Sequence, residues 1–311
     1  MSIPGKLLLN LWHTPVGRIR DSIRLGGPVA QRRTELSRRE MEAAAADLPE
    51  LPEFKNSSPV VLHVMTGRRF WYQTSFCLHS FSRAAQTTVN AELYDDGTID
   101  AECAGLLRRM GPRVRLHSNE EIRTRMEALL PAAHFPTLRE RWINYPNIRK
   151  LIDIHLGNSG WKLVLDSDLL FFRSPDALLQ WIAEPDRPIH AVDCQESYGY
   201  SRRLMERLAG APIPPMINVG VCGLRSEAID WEMLESWCAK LIAMEKTQYF
   251  MEQALVAMLM AREPGRSVLP PAEYLTKPGE AEARAPRAVM HHYVAESKRW
   301  YFRYGWRKIK T

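Results

Sequence analysis

The chain has 311 residues, of which 45% are hydrophobic and 25% charged, as is typical of a soluble globular protein with a sizeable core. No apolar run is long enough to cross a bilayer, and Leu7–Leu9 is interrupted too soon to be read as a signal peptide or an anchor. The net charge of +6 permits anionic partners, including phosphorylated substrates. Five scattered cysteines without a Cys-x-x-Cys motif predict buried free thiols in a reducing, cytoplasmic compartment, and argue against a zinc or redox site.

The first 57 residues differ in pattern from the rest of the chain. An alanine-rich stretch predicts a helix within 34–48, the prolines at 49 and 52 end it, and Asn56–Ser58 has the composition of a linker. We therefore expect an N-terminal helical extension and linker over 1–57, a single α/β domain over 58–300, and a basic aromatic tail over 301–311.

From residue 59 onward, strand and helix patterns alternate. Strands are predicted at 60–65, 87–94, 111–116, 161–165, 189–193, 217–224 and 289–293, and helices at 71–83, 101–110, 120–130, 145–156, 230–244 and 249–261. Such alternation favours a mainly parallel sheet with helices on both faces. Ligands of such sheets bind at the carboxyl ends of the strands, where Thr66-Gly67 and Asp166-Ser167-Asp168 lie.

Asp166 and Asp168 interrupt a stretch that otherwise reads as buried, between the apolar runs 161–165 and 169–172. Burying two unpaired carboxylates is costly unless a cation lies between them. Residues i and i+2 of a strand share a face, so the pair is expected to converge, with Ser167 turned away. Oxygen ligands favour Mn²⁺ or Mg²⁺. The pair alone leaves open a second interpretation, in which it merely caps a helix or closes a turn.

Three further residues could complete such a site. His292 could ligate the cation and Lys298 could hold a phosphate, although a lone histidine is more often structural. Lys150 lies on the helix before the aspartates, where it could also be a solvated lysine whose role passes to Arg149. Because neighbours in a strand face opposite ways, His291 is expected on the surface.

These motifs, in this order, resemble the retaining glycosyltransferase family 8, which includes glycogenin and the lipooligosaccharide galactosyltransferases. The resemblance spans about 59–300 and has no counterpart for 1–57. Its motifs are Lys150-Leu151, Val164–Asp168, Asn218–Val221, Glu252-Gln253, and His292 with Lys298 and Trp300.

The resemblance implies a GT-A fold, a single α/β domain around a mixed sheet, and a role for each matching residue. Asp166, Asp168 and His292 would bind Mn²⁺ (or Mg²⁺), and the cation would grip the diphosphate of a nucleotide sugar. The implied nucleotide and donor contacts are Thr66, Gly67, Phe70, Lys150, Asp166, Ser167, Asp168, Asn218, Gly220 and Lys298. The implied catalytic residues are Gln253, Glu252 and Lys150.

The chain departs from the family pattern at five positions. The family's terminal motif is His-x-x-Gly-x-x-Lys-Pro-Trp, and this chain has Ala295 for the glycine and Arg299 for the proline. Glu252 replaces an aspartate, Val219 replaces a small residue, and Phe70 replaces a tyrosine stacked on uracil. The resemblance therefore implies a divergent member with an altered donor or acceptor.

The predicted function is metal-dependent transfer of a sugar, with retention, from a UDP-linked donor to a hydroxyl of a glycan or a lipid-linked acceptor. One alternative is a sugar-phosphate nucleotidyltransferase, but that activity needs a glycine-rich first loop, and 65–69 contains one glycine. The other is a non-catalytic nucleotide or glycan binder, which the complete Asp166/Asp168/His292 set disfavours.

Three further interpretations concern residues outside this set. Gln253 could be an ordinary exposed helix residue, and Asp193 could bind the acceptor or, as we favour, merely end a strand. The mixture of aromatic and basic residues over 300–308 predicts a peripheral contact at the inner face of the membrane. Alternatively, Trp300 and Tyr301 pack on the domain. No nucleic-acid module is recognisable, so no nucleic-acid partner is expected.

Overall fold

The computed structural model describes residues 26–55, 57–246 and 249–309. Leu7–Leu9, the linker residue Asn56 and the last two residues of the tail lie outside the described residues. What the sequence predicts for them stays a prediction. No helix of the described part is long and apolar enough to cross a membrane.

A seven-stranded sheet forms the centre of the domain, in the order β3-β2-β1-β4-β7-β6-β8. Its strands are β1 (Val60–Thr66), β2 (Val89–Asp95), β3 (Val114–His117), β4 (Trp161–Leu165), β6 (Ile189–Val192), β7 (Ile217–Arg225) and β8 (Ser267–Val268). β7 is antiparallel to both β4 and β6, and every other pair is parallel. A second sheet has the order β5-β10-β9, with strands β5 (Leu169–Phe171), β9 (Tyr274–Thr276) and β10 (Met290–His292). The predicted α/β architecture with a mixed, mainly parallel sheet is confirmed.

The helices connect and cover these strands. They are α1 (Gly27–Ala46), α2 (Trp71–Ala85), α3 (Ala101–Arg108), α4 (Asn119–Leu129), α5 (Pro136–Asn144), α6 (Ile148–His155), α7 (Asp176–Ala183), α8 (Arg202–Ala209), α9 (Trp231–Glu245), α10 (Met251–Ala261), α11 (Glu280–Arg284) and α12 (Lys298–Trp300). A capping box between Ser118 and Glu121 begins α4, and the Asp230 side chain caps α9. The predicted helix 145–156 begins three residues later than expected, and α5, α8, α11 and α12 were not predicted.

The sheet separates two hydrophobic cores. Leu163 and Leu165 of β4 point into one core and Val164 points into the other, as the alternation of side chains along a strand requires. Because β4 is central and buried on both faces, whatever follows it emerges at the carboxyl edge of the sheet between the two cores.

The N-terminal helix and the C-terminal segment pack on the domain and on each other. Met41 of α1 is fully buried in the same core as Leu62 of β1. Tyr301 and Phe302 are also buried in that core, and the Arg303 side chain donates to the Thr34 hydroxyl. The helix begins earlier than predicted, because Pro28 at its first turn is compatible with a helix start.

Candidate active site

The aspartate pair lies in the turn between β4 and β5, not within a strand. The Asp166 amide donates to the Gly220 carbonyl over 2.8 Å, and the Tyr293 amide donates to the Asp168 carbonyl over 3.2 Å. The two carboxylates do converge, as predicted, but not because side chains alternate along a strand. Backbone hydrogen bonds to β7 and from the residue after β10 hold the turn that brings them together. Ser167 lines the same cavity as both aspartates.

His292, at the end of β10, faces both carboxylates. Its Nε2 lies 3.3 Å from Asp168 Oδ1 and 3.6 Å from Asp166 Oδ2. One ligand atom from each of the three residues lies within 4.8 Å of the others. Asn218 and Gly220 hold the ring from behind, and a Cβ on Gly220 would lie 2.2 Å from His292 Cε1, which explains why glycine occupies that position.

The hydrogen bonds define which ring nitrogen carries the proton. Asn218 Oδ1 accepts the Gly220 backbone N–H over 2.9 Å, so this atom is an acceptor, and it lies 2.9 Å from His292 Nδ1. Nδ1 must therefore carry hydrogen, and the neutral ring presents a lone pair at Nε2 toward two carboxylates. Such an arrangement of acceptors requires a proton or a cation between them. Although burial opposes its charge, the Asp168 carboxylate raises the pKa of His292.

Lys298 supplies a second positive charge on the far side of Asp168. Its Nζ lies 3.0 Å from Asp168 Oδ2, and this neighbour raises the pKa of the lysine. Burial opposes ionisation of Asp168, but Lys298 and His292 together hold its pKa well below the usual range. The lysine is 40% exposed at its side chain, so it remains open to a ligand as well.

The ammonium group of Lys150, in α6, is bound by three other groups of the protein. Its Nζ donates to Asp166 Oδ1 over 2.8 Å and to the Val219 carbonyl over 3.1 Å, and lies 3.6 Å from Glu252 Oε1. Burial disfavours its charge, yet Asp166 and Glu252 raise the pKa of Lys150 above its ordinary value. The alternative in which Arg149 takes this role is excluded, because Arg149 binds Asp153 and the carbonyl of Asp95 instead.

Glu252 and Gln253, in the first turn of α10, also line the cavity. Burial raises the pKa of Glu252 to about 7, with Lys150 acting against the rise. Gln253 Nε2 donates to Asp193 Oδ2 over 3.0 Å and to the Ile217 carbonyl over 2.8 Å. Both amide hydrogens are thus used, and Oε1 has no protein partner within the described ranges. Gln253 is 7% exposed and lines the cavity, which excludes the exposed-helix interpretation.

Asp193 directly follows β6, as predicted, but its carboxylate also orients Gln253. The signal that could have revealed this is the position itself, a carboxylate at the carboxyl end of another strand of the same sheet.

The predicted nucleotide contacts at the end of β1 divide into two groups. Phe70, just before α2, lines the cavity together with Met65. Thr66 is buried and its hydroxyl accepts from Thr74 over 2.8 Å, while the Gly67 backbone lies against the Asp96 carboxylate. Their roles as nucleotide contacts stay predictions.

Two expectations about neighbouring residues are wrong. His291 is fully buried, not on the surface, because β10 is the central strand of its sheet; its ring lies 2.9 Å from the Tyr293 hydroxyl and 3.2 Å from Glu282. Cys194 is exposed and lines the cavity, whereas the other four cysteines are buried as predicted.

The divergent position Ala295 has a positive φ of 48°, in the left-handed region that favours glycine. It begins the short 3-10 turn Ala295–Ser297 that leads into Lys298. Glu296 next to it pairs with Lys277 over 2.8 Å at the cavity wall. The strained residue thus lies on the segment that positions Lys298.

These residues enclose one open cavity of about 550 Å³. Sequence reasoning missed several of its lining residues: Tyr145, Asn147, Tyr249, Phe250, Lys277, Val294 and Glu296. Tyr249 and Phe250 come just before α10, are 70% and 37% exposed, and form an edge-to-face pair at the rim. The sequence pattern places Tyr145, Asn147, Tyr249 and Phe250 inside predicted helices, whereas these helices begin at Ile148 and Met251, and only the fold brings the preceding residues to the site.

Solved structures that superpose on this chain include glycosyltransferases. The galactosyltransferase LgtC, in complex with donor and acceptor sugar analogs, is 17% identical and superposes with a TM-score of 0.51 over 76% of this chain and 87% of that one. Mouse xyloside xylosyltransferase 1 in its apo form is 13% identical, with a TM-score of 0.51 over 76% of this chain and 97% of that one. No family model and no curated protein sequence matches the chain. The chain therefore has the GT-A fold, as the sequence predicts.

Proposed function

We propose that this protein is a metal-dependent retaining glycosyltransferase, a divergent relative of family 8, that transfers a sugar from a UDP-linked donor to a hydroxyl of a glycan or lipid-linked acceptor. The observation that carries the proposal is the convergence of Asp166, Asp168 and His292 Nε2, with Lys298 beside them, at the carboxyl edge of the sheet. The GT-A fold shared with glycosyltransferases supports it.

The donor set fits a hard divalent cation. Two carboxylates and one neutral imidazole suit Mn²⁺, and also Mg²⁺, and the Asn218 oxygen behind the ring fixes the tautomer that such a ligand needs. When bound, the ion would neutralise charge on the diphosphate of the donor as the leaving group departs. Asp166, Asp168 and His292 would hold it.

The protein's own residues account for the remaining requirements. Departure of a nucleoside diphosphate builds negative charge on its phosphate oxygens, and Lys298 is placed to stabilise that charge where it develops. The anomeric carbon becomes positively charged. Both hydrogens of the Gln253 amide group are used within the protein, so its Oε1 is the dipole left available in the cavity to stabilise that charge. Lys150 donates to Asp166 and holds this carboxylate in place. A proton from the acceptor hydroxyl can pass to the departing phosphate, so no protein base is needed for retention.

The test is a thermal-shift panel of UDP, GDP and CDP, with and without Mn²⁺, on the wild type and on Asp168→Asn. We expect UDP to raise the melting temperature of the wild type only when Mn²⁺ is present, and to have little effect on the variant. Metal-independent stabilisation, or none by any nucleotide, would refute the proposal. Turnover of UDP-sugars, with NMR of the product anomer, then distinguishes a transferase from a binder and retention from inversion.

A further inference from the structure

The segment from His292 to Lys298 joins the proposed cation ligand to the proposed phosphate contact, and Asp168 ties it at both ends. The Tyr293 amide donates to the Asp168 carbonyl over 3.2 Å, and Lys298 Nζ lies 3.0 Å from Asp168 Oδ2. Between these ties lies the short 3-10 turn that begins at Ala295, whose φ of 48° is in the left-handed region. This region is disfavoured roughly tenfold in population for a residue with a side chain, so other contacts must hold the alanine there.

Lys277 supplies such contacts from the neighbouring strand. It directly follows β9, which pairs in parallel with β10. Its backbone amide donates to the His292 carbonyl over 2.8 Å, and its Nζ lies 2.8 Å from Oε1 of Glu296, the residue after the strained alanine. The end of β9 is fixed in turn, because the Thr276 hydroxyl donates to the Val192 carbonyl of β6 over 2.8 Å. The segment is therefore bound to the central sheet through Lys277.

Both side chains of this ion pair line the cavity, at 32% and 24% exposure. A lysine in this position has two possible roles: it could contact a phosphate of the ligand directly, or it could hold Glu296 and so shape the backbone that leads to Lys298. The geometry favours the second role. The Lys277 Nζ already lies at hydrogen-bond distance from a carboxylate, and the backbone amide of the same residue is bound to the same segment.

We propose that Lys277 is a positioning residue: through Glu296 it holds Ala295 in its left-handed conformation and thereby places Lys298 for the diphosphate. The inference rests on the proposed function and adds a residue that acts on donor affinity without touching the donor. It also accounts for an alanine in a turn whose φ favours glycine. The ion pair supplies from outside the restraint that makes up for the missing freedom of a glycine backbone.

The experiment measures UDP affinity by calorimetry in saturating Mn²⁺, for the wild type, Lys277→Met, Lys277→Arg and Glu296→Gln. Mn²⁺ affinity without nucleotide and the free energy of unfolding are measured on the same proteins. Glu53→Gln is the matched control, because it removes one charge from an ion pair of the same 2.8 Å length, with Arg113, outside the cavity.

We expect Lys277→Met and Glu296→Gln both to lose roughly three- to tenfold in UDP affinity, because the binding-competent conformation of the segment becomes a minor one. Lys277→Arg retains the ion pair and should keep the wild-type affinity, as should the control. Mn²⁺ affinity should be unchanged in all variants, since the backbone bond from residue 277 to His292 stays in place. In the Ala295→Gly background, Lys277→Met should cost about twofold or less, because glycine adopts a positive φ without the ion pair.

A rise in UDP affinity in Glu296→Gln would overturn the inference, because it is the result expected if Lys277 contacts the phosphates and Glu296 competes for it. The inference is also wrong if Lys277→Met or Glu296→Gln keeps the wild-type affinity, if either loses Mn²⁺ affinity, or if Ala295→Gly does not reduce the effect. Each of these results leaves the proposed function intact. Absence of nucleotide binding by the wild type would overturn the proposed function as well.

Discussion

The hydrogen bond from His292 to Asn218 gives the sharpest test of the metal site. Asn218 is 4% exposed and contacts none of the three cation ligands except the imidazole, through Nδ1. Changing it to alanine removes the acceptor that fixes the tautomer, so Nε2 would present a hydrogen to the carboxylates in part of the population. Outer-shell partners of ligating histidines typically contribute 10- to 100-fold in metal affinity, and we expect a loss of roughly that size.

The same substitution has a structural cost that must be measured separately. Asn218 Oδ1 also accepts the Gly220 amide, so alanine leaves two buried donors without a partner. At about 1–3 kcal/mol for each of the two unsatisfied groups, we expect a loss of about 2–6 kcal/mol in the free energy of unfolding. Asn218→Asp keeps an acceptor for both donors and is the matched control, expected to retain Mn²⁺ binding.

The assay is titration of Mn²⁺ without nucleotide, followed by electron paramagnetic resonance of the free ion, on protein shown to be folded by circular dichroism. If folded Asn218→Ala binds Mn²⁺ as tightly as the wild type, the proposed ligand role of His292 Nε2 is wrong. Equal losses in the alanine and aspartate variants would contradict the tautomer argument.

Three other predictions concern strain, ionisation and the tail. Ala295→Gly should stabilise the protein by about 1 kcal/mol in urea denaturation, because relief of the left-handed φ exceeds the added chain entropy; a loss of stability would contradict this. Glu252 has a folded pKa of about 7 against an ordinary 4.5, so the folded state binds more protons between these values and stability falls as pH rises through them. Glu252→Gln should remove that slope, seen as a flatter stability profile from pH 4.5 to 7. If the exposed Lys308 contributes to a membrane contact, Lys308→Glu should weaken binding to vesicles of anionic lipid roughly tenfold, and unchanged binding would refute the membrane proposal.

The sequence predicts which residues form the site better than it predicts how the fold brings them together. Asp166, Asp168, His292 and Lys298 stand out in the sequence because charged residues follow apolar strands, and the structure brings all four together. How they meet could not be predicted, because the turn at 166–168 is shaped by backbone bonds from β7 and from the residue after β10. Those bonds join residues far apart in sequence and leave no local pattern.

The errors have the same origin. His291 is expected at the surface if one face of β10 is exposed to solvent. However, β10 is the central strand of its sheet, and both His291 and His292 are buried. The aromatic tail has the composition of a membrane-interface segment, and Tyr301 and Phe302 pack in the core with Met41 of α1. The contact of its exposed basic residues with a membrane stays a prediction. Composition describes what a segment could contact, and only the tertiary packing decides what it does contact.

The charges around the aspartates argue for a diphosphate rather than a neutral ligand. Asp166 and Asp168 face the two ammonium groups of Lys150 and Lys298, each within 3.0 Å of one carboxylate, and Glu252 lies 3.6 Å from Lys150. A divalent cation bound to this set would leave a net positive charge at this end of the cavity. A neutral sugar gains little from such a field, whereas the diphosphate of a nucleotide sugar compensates it. Lys150 lies against the first carboxylate from the buried side, where its ammonium group donates to Asp166 over 2.8 Å, and under the proposed function the cation and Lys298 would meet the phosphates.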